Sequence, residues 1–339
     1  MDRLEQRLRL VREPPRPDGL VAQRHLHSVI AEQNPTPLQS LPQGLGGPAG
    51  ALAREQILLK REDMHELGAF KWRGALPTVE RYRDLGAKTV VTASTGNHGA
   101  AVAWACQRLG LSSIVYGPRQ CAEAKLDLIS RQGAKVILAG ADLDQAKDEA
   151  RAFATEAGHV FFEDGLESTQ YDGYGSIGRE LVGQLDSPPS VVVVPVGNGA
   201  LLIGLGRMLR SLAPEVELVG VVAAEAPVMA QSVAAGEPVL SDQCATFADG
   251  LAIRVAIPEA VEELIALDCR FVAVTERQLA RAVGTYSAAD IRVEGAGAAS
   301  LAALPQVESD GTVVAVLTGC NIDQELFERA VEKPTTFPD

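Results

Sequence analysis

Cysteine and positive charge are both scarce in this chain, and so are aromatics, at 4% of 339 residues. The five cysteines, Cys106, Cys121, Cys244, Cys269 and Cys320, are odd in number and include no C-x-x-C pair. Neither a disulfide framework nor a zinc cage is suggested, and most of them are expected to be small buried apolar residues. Lys and Arg number 31 against 44 Asp and Glu, and the net charge of −13 is spread along the chain. That balance argues against a nucleic-acid or anionic-membrane partner. No run approaches the roughly 20 uninterrupted apolar residues of a bilayer span, since even SVVVVPVGNGALLIGLG carries glycines, an Asn and a Pro. The first residues, MDRLEQRLRLVREPPRPDG, lack the apolar stretch of a secretory signal and mix both charge signs, so a cytoplasmic protein is expected.

What is present is a 46% apolar composition, enough for one large domain or two modest ones. Residues 1 to about 34 read as an arm, with a short helix over Leu20 to Gln33. From Gln56 onward, β-branched runs alternate with alanine-rich amphipathic stretches. The runs are TVVTAS (89–94), SSIVYG (112–117), KVILAG (135–140), HVFFED (159–164), SVVVVPVG (190–197), VELVGVVAAE (216–225) and TVVAVLTG (312–319). Such alternation predicts parallel sheets wrapped by helices. The stretch from about 236 to 275 is less regular. Parallel α/β sheets bind ligands at the carboxyl ends of their strands, so the glycine-rich strand ends are where a site is expected.

Four motifs stand there or nearby. STGNHG, Ser94 to Gly99, joins a strand to a helix; it reads as an anion-binding turn or simply as an N-cap with glycines. VGNGALLIG, Val196 to Gly204, also joins strand to helix. Its G-x-G-x-x-x-x-G spacing favours a single phosphate, whereas a nicotinamide dinucleotide bound with Glu225 on the ribose is the rival. In GAFKWRGA, Lys71 lies between Phe70 and Trp72; it is either a snorkelling surface lysine or a desolvated, nucleophilic amine. In LTGCN, Thr318 presents a hydroxyl to a cleft or caps the next helix. His98 packs against its loop or touches substrate, Cys320 is a packing residue, and Trp72 and Trp104 belong to the core.

In this order the motifs resemble those of the fold type II family of pyridoxal-phosphate enzymes, the tryptophan synthase β superfamily, and within it those of serine/threonine dehydratases and serine racemases. GAFKWRGA is similar to that family's G-S-F-K-x-R-G-A, STGNHG to its S-x-G-N-H, VGNGALLIG to its phosphate cup and LTGCN to its S-G-G-N; ADGLAI (248–253) and EGAGAAS (294–300) also have counterparts. The resemblance runs from Thr36-Pro37-Leu38 to Asn321. It implies an α/β fold of two domains, each with a mostly parallel sheet flanked by helices: 35–88 with 168–339 binding the cofactor, and an inserted 89–167 carrying the substrate loop. It also implies that Lys71 holds pyridoxal 5'-phosphate as a Schiff base and shuttles the α-proton. Phe70 flanks the ring, Asn97 meets the phenolic oxygen, Thr318 meets the pyridine nitrogen, and Gly197, Asn198, Gly199, Ala200 and Leu201 cradle the phosphate. Ser94, Thr95, Gly96, Asn97 and His98 hold the substrate carboxylate.

A hydroxyl partner leaves the pyridine nitrogen neutral, which favours β-elimination over transamination. The expected reaction is therefore dehydration and deamination of a serine/threonine-like hydroxyamino acid to a 2-oxo acid and ammonia. β-Replacement, a threonine-synthase-like reaction and racemisation are the alternatives, with a nicotinamide-dependent oxidoreductase more distant. Ala69 replaces the family's usual Ser. Thr95 stands where racemases carry a catalytic serine, and its methyl ranks racemisation below elimination. Glu225 matches one cation ligand of metal-activated members, but Gln231 stands where an acidic second ligand is usual, so no metal is expected. Asn198 and Ala200 interrupt a cup that dehydratases build from four glycines. About 18 residues follow Asn321, so no appended regulatory domain is expected, and a homodimer is.

Overall fold

The structure, a computed structural model, describes residues 33–42, 57–121, 123–241 and 244–339. The arm and the helix at Leu20–Gln33 fall almost wholly outside these residues. Ten described strands form two sheets. The larger runs β1-β2-β10-β7-β8-β9, where β1 is Leu38–Ser40, β2 Ile57–Arg61, β7 Val191–Pro195, β8 Glu217–Ala223, β9 Arg270–Val274 and β10 Val313–Leu317. Only β1 is antiparallel; β10 pairs in parallel with β2 and β7, with Val313 opposite both Ile57 and Val191. The smaller sheet, β5-β4-β3-β6, is all parallel and consists of β3 Thr89–Ala93, β4 Ser112–Gly117, β5 Lys135–Leu138 and β6 Val160–Phe161.

The central strands read as unbroken apolar runs because helices cover both of their faces. In β7, Val191 and Val193 join one core and Val192 and Val194 the other; in β10, Val313, Ala315 and Leu317 separate in the same way from Val314 and Val316. The helices are α1 Trp72–Asp84, α2 Asn97–Leu109, α3 Glu123–Arg131, α4 Leu143–Ala157, α5 Ser168–Gln184, α6 Ala200–Leu212, α7 Val228–Ala235, α8 Pro258–Ala266, α9 Glu276–Ser287, α10 Gly295–Ala303 and α11 Gln324–Glu332. Their ends follow local chemistry. The Asp142 side chain accepts from Gln145 N at 2.9 Å to start α4, Thr275 and Gln278 form a capping box on α9, and Gly110 ends α2 in the left-handed region.

Three helices, α1, α5 and α6, are packed more closely than side chains permit. A Cβ on Gly173 of α5 would stand 2.0 Å from the Arg73 carbonyl of α1, and one on Gly204 of α6 would stand 2.1 Å from the Tyr171 carbonyl of α5. The Arg73 carbonyl is available for this contact because Pro77, four residues on, has no N–H to offer it. A buried charge cluster ties the same region together. Arg73 pairs with Glu62 at 2.7 Å and Glu180 at 2.6 Å, while Lys60 pairs with Glu180 at 2.5 Å and donates to the Thr36 carbonyl at 2.8 Å. Two cations face two carboxylates, so the cluster is neutral as well as hydrogen-bonded.

One expectation is refined and one corrected. The stretch 236–275 contains α8 and β9; β9 lies at the sheet edge with only Val272 and Val274 buried, so its apolar pattern is short and diluted. Among the cysteines only Cys106 is buried, and the other four are half-buried, because each stands near an element end or in a loop. All five are free thiols. Trp72 and Trp104 do belong to the core, meeting edge to face at 6.2 Å. Among the described residues no helix is long and apolar enough to cross a membrane.

Candidate active site

A cleft of about 1100 Å³ opens between the two sheets at the carboxyl ends of their strands. The residues of all four motifs reach it: Phe70 and Lys71 from the turn before α1, Ser94 to His98 from the β3–α2 turn, Gly197, Asn198, Gly199 and Leu201 from the β7–α6 turn, and Thr318 from the end of β10. Ala200, the first residue of α6, lies behind that turn and is buried.

Lys71 precedes α1, which starts at Trp72. Its Nζ lies 2.6 Å from Asp164 Oδ2 and 5.3 Å from the centroid of the Phe70 ring, and its side chain is 15% exposed. This excludes the snorkelling alternative, because the amine is directed inward at a carboxylate. Trp72 points the other way and stacks on His65 at 4.5 Å. Asp164 follows β6, and its Oδ1 accepts from Gln170 Nε2 at 2.6 Å. Burial alone would raise the pKa of Asp164, but the Lys71 charge, His98 and the hydrogen bonds from Lys71 and Gln170 together outweigh it and hold the carboxyl well below the usual range.

At the β3–α2 turn, Ser94 Oγ accepts from Gly96 N at 3.2 Å, and Gly96 has no neighbour within 4 Å where a side chain would stand. Asn97 Nδ2 lies 3.0 and 3.1 Å from the two oxygens of Glu294, and its Oδ1 accepts from Asn321 Nδ2 at 2.7 Å. Burial raises the Glu294 pKa to about 7 despite the Asn97 hydrogen bond. His98 lies beneath the turn, 6% exposed. Its Nε2 is 3.1 Å from Thr92 Oγ1, its Nδ1 is 3.4 Å from Asp164 Oδ1, and its ring stands edge-on to Phe162 at 4.8 Å. Burial lowers its pKa to about 4, so the imidazole is neutral above that pH.

The β7–α6 turn is shaped by two glycines. A Cβ at Gly197 would meet the Gly250 carbonyl at 2.3 Å, and Gly199 has φ +89°, the left-handed region. Asn198 Oδ1 accepts from Ala200 N at 3.2 Å, so the side chain that interrupts the glycine run caps the first turn of α6. Opposite, the Thr318 hydroxyl is buried with no hydrogen-bond partner among the described residues. It does not cap the next helix, a task performed by Asp323 before α11.

Asp164 and Gln170 were not singled out by the sequence, and Glu294 was quoted only within EGAGAAS. For Asp164 a signal existed: HVFFED places an acid at the carboxyl end of a parallel strand, but without the glycines that drew attention to the other strand ends. No group of three or more His, Cys, Asp or Glu side chains able to hold a metal ion occurs among the described residues.

Comparison with known proteins agrees with this geometry. The profile of the family described as pyridoxal-phosphate dependent enzyme matches residues 29–319. An L-threonine ammonia-lyase of Geobacter sulfurreducens is 34% identical over 282 residues, covering 82% of this chain and 70% of that protein. Among solved structures, the processed form of threonine deaminase isoform 2 from Solanum lycopersicum superposes with a TM-score of 0.83 at 26% identity, covering 94% of this chain and 95% of that one. Maize serine racemase superposes with a TM-score of 0.82 at 24% identity over 93% and 97% of the two chains, a likeness of fold.

The cleft passes an independent test of fit for the cofactor of that family. An inward amine, a buried hydroxyl lacking a partner among the described residues, and a helix N-terminus reached through Gly197, which has no room for a Cβ, and Gly199, in the left-handed region, suit an aldehyde, a ring nitrogen and a phosphate respectively. The nicotinamide alternative is thereby set aside, and the chain belongs to the pyridoxal-phosphate-dependent enzymes of fold type II.

Proposed function

We propose that this enzyme dehydrates and deaminates a serine/threonine-like hydroxyamino acid, releasing a 2-oxo acid and ammonia. The similarity to proteins named threonine ammonia-lyase and threonine deaminase supports the substrate class. The observation that carries the reaction type is the buried, unpartnered Thr318 hydroxyl in the same cleft as the Lys71 amine. A hydroxyl there leaves a pyridine nitrogen neutral, where a carboxylate would keep it protonated.

In this reading Lys71 holds the cofactor through Nζ and, once displaced by the substrate amine, takes the α-proton on the same atom. The cofactor, when bound, supplies the electron sink for the pair left on the α-carbon. Phe70 flanks the ring, and Asn97, oriented by Glu294 and Asn321, offers its amide to the phenolic oxygen. Gly197, Asn198, Gly199, Ala200 and Leu201 bring the N-terminus of α6 to the phosphate. Ser94, Thr95, Gly96 and Asn97 bind the substrate carboxylate at the start of α2, with His98 supporting the turn from below. Residues 89–167 act as a small domain that closes on the substrate, with the ion pair between Arg254 and Asp144 joining α4 to the loop before α8. The same proposal has the enzyme working in the cytoplasm as a homodimer, checked by cell fractionation and sedimentation velocity.

The test is a panel of hydroxyamino acids assayed for ammonia and 2-oxo acid, with borohydride reduction and peptide mass spectrometry to locate the cofactor. The adduct is expected on Lys71, and Lys71→Ala is expected to abolish turnover. An adduct elsewhere, or formation of the opposite enantiomer or of a replacement product with no ammonia, overturns the proposal.

A further inference from the structure

The assignment of Lys71 as the base leaves one neighbour unexplained. Asp164 Oδ2 lies 2.6 Å from Lys71 Nζ, close enough for a charge-assisted hydrogen bond, and the loop holding it is itself held. Gln170 of α5 donates to Asp164 Oδ1 at 2.6 Å and is fixed by two more hydrogen bonds, accepting from Gly165 N at 2.7 Å and donating to Tyr174 Oη at 3.0 Å. On the other side, Thr92 Oγ1 donates to the Phe162 carbonyl at 2.7 Å, so it has no hydrogen left for His98 and must accept from His98 Nε2. The neutral imidazole therefore turns the lone pair of Nδ1 toward Asp164 Oδ1, 3.4 Å away, and gives it no hydrogen bond. Asp164 is thus anchored through one oxygen and directs the other at the amine. Within the cleft, Lys71 is the cation it touches.

We propose that Asp164 is a positioning residue that acts through Lys71: it holds Nζ in place after the substrate amine has displaced it, and it sets how tightly that nitrogen keeps a proton. This rests on the reading of Lys71 as the base. In the step concerned, the α-carbon to hydrogen bond breaks, its electron pair stays with the substrate, and the proton passes to the neutral Lys71 amine. The product is an ammonium, and Asp164 is the counter-ion that receives it. Besides Asp164, the Lys71 charge acts on His98 from α2, which is neutral, and on the Glu294 carboxyl before α10, which keeps its proton to about 7; Tyr171 and Tyr174 from α5 stand against Asp164, and Lys147 from α4 acts on His98. The depressed acidity range of Asp164 is consistent with this arrangement, since the group remains a carboxylate throughout the working pH range.

The test uses the full-length holoenzyme and the Asp164→Asn and Asp164→Glu variants. The visible absorbance of the bound cofactor reports whether the Lys71 nitrogen is protonated, so its pH titration reads the effect of Asp164 without turnover. Asp164→Asn is expected to move the midpoint down by about one pH unit or more, equivalent to a tenfold loss of proton affinity, and to move the acidic limb of kcat in the same direction. Asp164→Glu, which keeps the charge, is expected to stay nearer to wild type. Superimposable titrations of wild type and Asp164→Asn overturn the proposal, as does an Asp164→Glu curve displaced as far as that of Asp164→Asn. A loss of kcat with unmoved midpoints also overturns it, since loop packing alone would do that. Borohydride reduction of each variant keeps the two questions apart: cofactor fixed on Lys71 with unmoved midpoints refutes the role of Asp164, and cofactor fixed elsewhere refutes the role of Lys71.

Discussion

Replacing Glu294 by Gln should remove a specific pH dependence from the stability of this protein. Glu294 precedes α10, with both oxygens on Asn97 and its face to the cleft. In the unfolded chain it ionises near 4.5, and in the folded protein it keeps its proton up to about 7. Below 4.5 both states carry the proton and the group is neutral to folding. Between the two values only the folded state holds it, and above 7 folding must bury a carboxylate. Stability therefore falls as pH rises from about 4.5 to about 7 and then levels. The full shift corresponds to about 3 kcal/mol at about 1.4 kcal/mol per tenfold change in proton affinity, and the half-buried setting reduces the expected loss to about 1–3 kcal/mol.

The whole-protein curve cannot show this alone. Burial lowers His65 and His98 from 6.5 to about 4, so these two groups add stability as pH rises through nearly the same window. The difference between wild type and Glu294→Gln cancels the histidines. The assay is urea unfolding of both proteins without cofactor at a series of pH values that spans the window from 4.5 to about 7 and runs roughly one unit beyond it. The wild type is expected to lose about 1–3 kcal/mol relative to the variant on going up the series. A constant difference would refute the reasoning, because a Gln that only packs better or worse shifts the curve without tilting it.

Three other substitutions separate packing from cofactor chemistry. Gly173→Ala places a Cβ 2.0 Å from the Arg73 carbonyl; it should cost about 1–3 kcal/mol in thermal unfolding and also weaken cofactor binding, because α1 must move with Lys71. Thr318→Val removes a buried hydroxyl that has no partner among the described residues, so the cofactor-free protein should be stabilised by about 1 kcal/mol while ammonia release falls; a variant that is both less stable and fully active contradicts the assigned role. Gly199→Ala forces a side chain to φ +89°, which should cost about 1–2 kcal/mol and raise the cofactor dissociation constant, measured by fluorescence titration.

The central strands were legible because burial on both faces demands unbroken apolar runs, as in VVVVP of β7 and VVAVL of β10. The turns of the site were legible because close backbone approach and helix N-termini demand glycine and small polar residues in a fixed order. Strand β9 was not, since an edge strand needs only one good face, and RFVAV buries two residues. Nor was the position of α1, whose placement rests on a missing Cβ at Gly173, a carbonyl freed by Pro77, charges on Lys60, Glu62 and Glu180, and the carbonyl of Thr36. Each of these residues has an ordinary reading in its own segment, and only their convergence gives them a function. Asp164 and Glu294 were missed for the same reason, because an isolated acid looks like any of 44 acidic residues.

Those two acids show how one cleft gives the same functional group opposite character. Asp164 and Glu294 both line the cavity, yet one is held as a carboxylate and the other keeps its proton to about 7. Burial pushes both upward; the difference lies in what each side chain touches. Asp164 touches the Lys71 ammonium and a Gln170 amide, whereas Glu294 accepts from the neutral Asn97 amide and the Asn321 backbone N–H and faces Asp249 as a like charge. The fold enforces that difference, since α5 supplies Gln170 and, through Gly173, fixes the start of α1 that supplies Lys71. The packing of α1 on α5 therefore sets the electrostatics of the site as well as its shape. A displacement of α1 that lengthens the Lys71–Asp164 contact should bring the two carboxyls closer in proton affinity before it unfolds the protein.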